Sequence, residues 1–208
     1  MDRKQAAACI VQVCQTMWQK GWVAANDGNV SQRLDNGTIL ATPTMVSKND
    51  VREDMLVLLS PQGRILSGTY KPSSEIRMHL RCYEMRPDIF GVVHTHSPAA
   101  TAFAAAAMPL DLSFLTEAYL TLGNVPVAPF ALPSTDEVPD SITPYLKEHN
   151  AILLQNHGAL ALGTDVKSAY FCMESLEHCA AIALNVRLLG GGCPISEENK
   201  ERLKKLYS

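Results

Sequence analysis

His94 and His96 are the residues in this chain whose types and spacing point most directly to chemistry. They close the run Gly91-Val92-Val93-His94-Thr95-His96, which reads as a strand. Positions i and i+2 of a strand face the same way, so the two imidazoles can converge on one point. Such a pair is half a site for zinc or another borderline divalent metal. The plainer alternative is two polar residues on an exposed strand face. Ser97-Pro98 and a new helix follow the pair, which makes a strand-end corner of the kind where sites are built.

His157 is a candidate third ligand. It follows the apolar run Ile152-Leu153-Leu154 and precedes Gly158, again at a strand-end turn. Three neutral imidazoles leave a tetrahedral metal one open position, the catalytic rather than the structural arrangement. A turn histidine bonded to backbone is the other reading of the same residue. His79, His149 and His178 lie in a helix, a polar turn and a second helix, and read as structural.

A second constellation is Lys71-Pro72-Ser73-Ser74-Glu75. Two serines before a helix are ordinary caps. The same geometry also offers hydroxyls and backbone N–H groups to an anion at the positive end of the helix dipole. The turn Asn26-Asp27-Gly28-Asn29 offers a further set of donors, because glycine lets backbone approach a ligand closely. Glu75 suits the first helical turn electrostatically, and beside a metal it becomes a proton-transfer group.

The elements that must position these residues are strands and helices intermixed. Asp2 to Lys20 reads as a helix with Asp2 as cap and Gln5 three residues on. Val30–Leu34 and Thr38–Thr42 read as a hairpin through Asp35-Asn36-Gly37, and Met55–Leu59 with Arg64–Leu66 as a second. Ser74 to Met85 and Pro98 to Ala107 read as helices, Val125–Pro129 and Ala151–Leu154 as short strands. Thr164 to Leu189 reads as a long helix ended by Gly190-Gly191-Gly192, with a polar helical tail behind it. The class is α/β or α+β with substantial antiparallel pairing.

The 208 residues carry no repeat or linker and read as one domain, 1–208, able to bury roughly 70% of its unfolded surface. Eighteen basic and 21 acidic residues give a net charge of -3, with no basic run, so a nucleic-acid partner is not expected. The longest apolar stretch, Pro98 to Leu110, falls short of the about 20 residues that span a bilayer, so no membrane role is expected. No apolar signal core follows Met1, and the six cysteines include no C-x-x-C pair. A cytoplasmic location with reduced thiols is the expectation.

Taken in order, Asn26-Asp27-Gly28-Asn29-Val30-Ser31-x-Arg33, Thr42-Pro43-Thr44, Lys71-Pro72-Ser73-Ser74-Glu75, His79, Val93-His94-Thr95-His96-Ser97-Pro98 and Leu154-Gln155-Asn156-His157-Gly158-Ala159 form a pattern. The sequence resembles the class II aldolase/adducin family over nearly its whole length, and most of all the L-fuculose-1-phosphate aldolase branch. The resemblance implies a three-layer α/β/α fold around a largely antiparallel central sheet, assembled as a homotetramer with active sites between subunits. It implies that His94, His96 and His157 bind Zn2+, and that Glu75 is the catalytic acid/base, also able to approach the metal. Gly28, Asn29, Thr44, Ser73 and Ser74 match the phosphate-binding positions. The activity implied is cleavage of a ketose 1-phosphate to dihydroxyacetone phosphate and an aldehyde through a metal-stabilised enediolate.

The chain departs from the pattern in places. The second phosphate turn usually reads T-P-S-G, and here it is Thr42-Pro43-Thr44-Met45, where methionine cannot let backbone approach as glycine does. The family's proton-donating tyrosine from the neighbouring subunit has Tyr119 as its nearest match, with Glu117 and Tyr207 as alternatives. Family members that are sugar-phosphate 4-epimerases usually carry aspartate where this chain has Glu75, which favours the aldolase. A phosphorylated oxo-acid decarboxylase is the other enzymatic alternative. Adducin-type scaffolds lack the metal set that is present here.

Overall fold

The computed structural model describes residues 1–207; Ser208 and the side chain of Tyr207 lie outside the described residues. Helix α1, Arg3–Gln19, opens with the expected capping box. The Asp2 carboxylate accepts from the Gln5 backbone N–H and the Gln5 side chain accepts from that of Asp2. It buries the predicted stripe of Ile10, Val13, Cys14 and Met17.

Eight strands follow: β1 Asn29–Arg33, β2 Ile39–Ala41, β3 Val57–Leu59, β4 Ile65–Ser67, β5 Gly91–Thr95, β6 Val127–Ala128, β7 Ala151–Leu154 and β8 Gly158–Gly163. They form one sheet in the order β4-β3-β2-β1-β5-β8-β7-β6. Every neighbouring pair is antiparallel except β6 with β7. The remaining helices are α2 Ile76–Met85, α3 Pro98–Ala105, α4 Thr116–Thr121, α5 Glu137–Ile142, α6 Val166–Leu188 and α7 Glu197–Tyr207.

The two-residue period of the strands sorts the core into two clusters. Val93, Ala159, Ala161 and Leu153 face α1, α3 and α6. Val92, Leu160, Leu162 and Ile152 face α2 and α5. That is the three-layer α/β/α arrangement, with alanines on the α6 side letting that long helix settle close to the sheet. His94 shares its face with Val92, so it points toward α2, the helix that Glu75 precedes.

Several boundaries differ from the sequence reading. Strand β8 was not expected: residues 158–163 are covered on both faces, and an apolar Ala-Leu-Ala-Leu run shows no alternation of polarity. Helix α2 begins at Ile76, not Ser74, and the strand expected over Val125–Pro129 narrows to Val127–Ala128. The helices α4 and α5 have six residues each, too few to show a helical period.

Candidate active site

The site lies where β1, β5 and the β7–β8 hairpin end beside the start of α2. His94, on the central strand β5, is fully buried, and its Nδ1–H donates to the Ala159 carbonyl of β8 at 2.9 Å. His96 follows just past the strand, with Nδ1 3.3 Å from the Asp27 carboxylate. His157 sits in the loop of the β7–β8 hairpin, whose register pairs Leu154 with Gly158. Asn156 takes a left-handed φ of 58° at the tip, and its N–H donates to the Ala104 carbonyl at the end of α3. Sequence-distant histidines thus meet because a hairpin tip is pinned over a strand end.

Glycine makes that meeting sterically possible. A Cβ on Gly158 would stand 2.4 Å from the Thr95 carbonyl oxygen, 2.9 Å from His96 and 3.2 Å from His94. Gly28 plays the same part across β1, where φ is 72° and a Cβ would approach the His94 carbonyl oxygen to 2.9 Å.

The three side chains each offer one nitrogen, all within 4.8 Å of one another. With Nδ1–H committed to Ala159, Nε2 of His94 is a bare lone pair, and it lies 3.2 Å from Nε2 of His96. Burial pushes the His94 ring down to about 3 and lowers the His96 ring too, so neither supplies a proton to share. Glu75 completes the cluster, with Oε1 2.9 Å from His157 Nε2 and Oε2 3.3 Å from His94 Nε2. Burial by itself would raise this carboxyl, but the His157 ring and the Asn29 amide beside it hold it below the ordinary carboxylate range. Its Oε1 is buried, with the His157 ring 2.9 Å away but out of line for a well-formed hydrogen bond. Converging imidazole nitrogens beside a buried carboxylate fit a divalent cation, which would satisfy all of them at once.

Around the cluster opens a pocket of about 210 Å³. Gly28, Asn29, Thr44, Ser73 and Ser74, the five positions expected to bind phosphate, all line it, together with Glu75, His96 and His157. The turns at 42–44 and 71–74 are joined by an isolated bridge between Pro43 and Pro72. The Thr44 N–H donates to the Lys71 carbonyl and the Ser73 N–H to that of Thr42. Those amides are therefore spent within the protein, and what Thr44 and Ser73 offer the pocket is hydroxyl. Ser73 is not a conventional helix cap either: its Oγ accepts from the Glu75 N–H at 3.3 Å.

Met45 resolves its own departure from the glycine pattern. It adopts the left-handed φ of 60° that a glycine would, and its side chain is 78% exposed and outside the pocket wall. Tyr119 and Glu117 stand on α4, and neither lines the pocket; Tyr119 packs toward α7 with Lys200 Nζ 5.5 Å from its ring centre.

Residues 8–184 match the sequence profile of the Class II Aldolase and Adducin N-terminal domain. The chain belongs to this family. A 5-deoxy-D-ribulose 1-phosphate aldolase of Bacillus thuringiensis serovar kurstaki is 30% identical over 95% of this chain and 93% of its own length. A 3-oxo-tetronate 4-phosphate decarboxylase of Pectobacterium atrosepticum is 32% identical over 87% of this chain and 84% of its own. Among solved structures, an L-fuculose 1-phosphate aldolase superposes with a TM-score of 0.90 at 25% identity, covering 98% of this chain and 96% of that one. Among the described residues, no helix of this class II aldolase family member is long and apolar enough to cross a membrane.

Some site features had no signal in isolation. Lys48 is 1% exposed, and its Nζ donates to the carbonyls of Asn26 and Val46 at 3.0 Å each. It anchors the glycine turn from behind, and burial lowers its pKa. Asp27 as partner of His96 and Asn29 as partner of Glu75 also emerge only from the fold. His79 lies outside the group of three histidines and is buried in a polar network behind Asn29.

Proposed function

We propose that this protein is a zinc-dependent lyase that cleaves a ketose 1-phosphate to dihydroxyacetone phosphate and an aldehyde. The observation that supports this most is the Glu75 carboxylate, buried beside three converging imidazole nitrogens at the wall of a pocket lined by Thr44, Ser73 and Ser74. His94, His96 and His157 would hold the metal, which when bound supplies a Lewis acid for the substrate carbonyl. Thr44, Ser73, Ser74, Gly28 and Asn29 would hold the phosphate, fixing the reacting end of the substrate remote from that grip. The proton that leaves the C4 hydroxyl as the C3–C4 bond breaks would be taken up by the Glu75 carboxylate, which would then deliver it to C3. Tyr119, on α4 and away from its own chain's pocket, would serve the C4 hydroxyl of a neighbouring copy in a homotetramer. A cytoplasmic enzyme acting on a small sugar phosphate is part of the same proposal.

Decarboxylation of a phosphorylated oxo acid is the second reading, favoured by the Pectobacterium relative, whose identity to this chain matches that of the aldolases. Incubation with a panel of ketose 1-phosphates and phosphorylated oxo acids decides between them. Release of dihydroxyacetone phosphate supports cleavage, and carbon dioxide without it supports decarboxylation. A changed sugar with neither product points to epimerisation. Glu75→Gln should keep the metal and lose about 100-fold or more in turnover, as expected for a proton-transfer group. Wild-type turnover in that variant would reassign the catalytic role.

A further inference from the structure

Behind Glu75 a line of hydrogen bonds runs away from the metal ligands into the core, and the chemistry above does not use it. Asn29 Nδ2 donates to Glu75 Oε2 at 2.8 Å. The His79 ring spans the next gap, with Nε2 2.5 Å from Asn29 Oδ1 and Nδ1 2.7 Å from Ser31 Oγ. The Tyr83 hydroxyl then lies 2.7 Å from the same Ser31 oxygen. Ser31, His79 and Tyr83 are 0%, 1% and 5% exposed, so bulk water does not compete for these groups.

Its donor–acceptor order follows from the Asn29 amide, which turns its NH2 to Glu75 Oε2 and so its carbonyl to His79. His79 must then donate through Nε2–H. Burial keeps the ring neutral, with its pKa pushed down to about 4, so Nδ1 is the acceptor. Ser31 donates to Nδ1 and accepts from Tyr83. The placement comes from two simple periods. Asn29 and Ser31 share one face of β1, and Glu75, at the cap of α2, is followed at four-residue intervals by His79 and Tyr83 within it.

We propose that His79, backed by Ser31 and Tyr83, is a positioning residue for Glu75. It locks the Asn29 amide so that an N–H, never a carbonyl, faces the carboxylate. A flipped amide would set oxygen against oxygen, push Glu75 off the imidazole cluster and turn the wrong group toward the pocket that Asn29 lines. The inference rests on Glu75 being the proton-transfer group, and its physical core does not.

Two measurements test it on the metal-loaded, full-length protein. Nitrogen-15 NMR of labelled histidine should show His79 as the neutral Nε2–H form. An Nδ1–H tautomer or an imidazolium would overturn the proposal, whatever the enzyme does. In kinetics, His79→Leu should lose about 10- to 100-fold in kcat with KM and metal content close to wild type. His79→Gln keeps an N–H near the position of Nε2 and should recover most of that loss. Equal loss in both variants, or loss in neither, rejects a positioning role. If His79→Leu does not fold, Tyr83→Phe removes only a hydroxyl and should still lower kcat while sparing KM; an unchanged kcat there also overturns the proposal. If wild type turns over none of the panel compounds, the functional reading fails, while the tautomer still decides the relay.

Discussion

The Nδ1–H of His94 donates to the carbonyl oxygen of Ala159 across the ladder between β5 and β8. A carbonyl can only accept, so this one bond fixes the tautomer and leaves Nε2 as the nitrogen free to ligate. The neighbouring strand therefore decides which nitrogen of His94 faces His96 and Glu75. A first expectation follows from that arrangement. Protein purified without chelator should carry about one divalent ion per chain, and His157→Ala should lose it. Because the ion binds only the folded cluster, adding it back should raise the unfolding free energy by about 4 kcal/mol at a thousandfold excess over its Kd. Metal analysis alongside thermal melts checks both points. A metal-free preparation whose melt ignores added zinc would discard the metal reading.

Gly158 offers a steric test of the same cluster. An alanine there must displace the Thr95 carbonyl, the His96 ring or the hairpin itself, since its Cβ would sit 2.4 Å from backbone oxygen. Backbone cannot yield as a side-chain tip can, so Gly158→Ala should cost about 1–3 kcal/mol in denaturant unfolding. It should also weaken metal binding. Wild-type stability with full metal content would show that the hairpin moves freely against β5, contrary to its anchoring at Ala104.

How much of this could be read from the residues depended on whether the signal was local. His94-x-His96 was legible because strand period alone puts both rings on one face. The capping box of α1 was legible for the same reason, being written within four residues. The polar line behind Glu75 was not, although its spacings at 29 and 31 and at 75, 79 and 83 were in view. Nothing local says that β1 lies beside β5 with Asn29 opposite His94. The role of Asp27 depends on the same pairing, and that of Lys48 on a loop folded beneath the glycine turn. Strand β8 failed differently: buried on both faces, it has no polar face from which a period could be read.

The His79 ring gives the fold a directional pH dependence. Its pKa falls to about 4 in the folded chain from an ordinary 6.5. Below pH 6.5 the unfolded chain takes up a proton that the folded chain refuses. The stabilising contribution is therefore complete above that pH and is lost as pH falls toward 4. The shift corresponds to at most about 3 kcal/mol. Denaturant titrations across this range should show wild type losing more stability than His79→Gln, which has no proton to take up. Parallel losses in the two proteins would place the acid sensitivity elsewhere.

Met45 tests whether the second phosphate turn keeps its shape without glycine. A non-glycine residue in the left-handed region costs about 1–2 kcal/mol. Glycine would remove that strain but lose about 0.5–1 kcal/mol to the greater freedom of the unfolded chain. Met45→Gly should therefore unfold at the same denaturant concentration as wild type or slightly higher. Met45→Val, branched at Cβ, should unfold earlier, because branching makes positive φ harder still. Since the turn already has the geometry glycine would give it, KM for a phosphorylated substrate should not change in Met45→Gly. Thr44→Val should raise KM, because it deletes a hydroxyl lining the pocket. If the two variants raised KM alike, Met45 would belong to the phosphate grip, and its exposed side chain would have to fold inward when substrate binds.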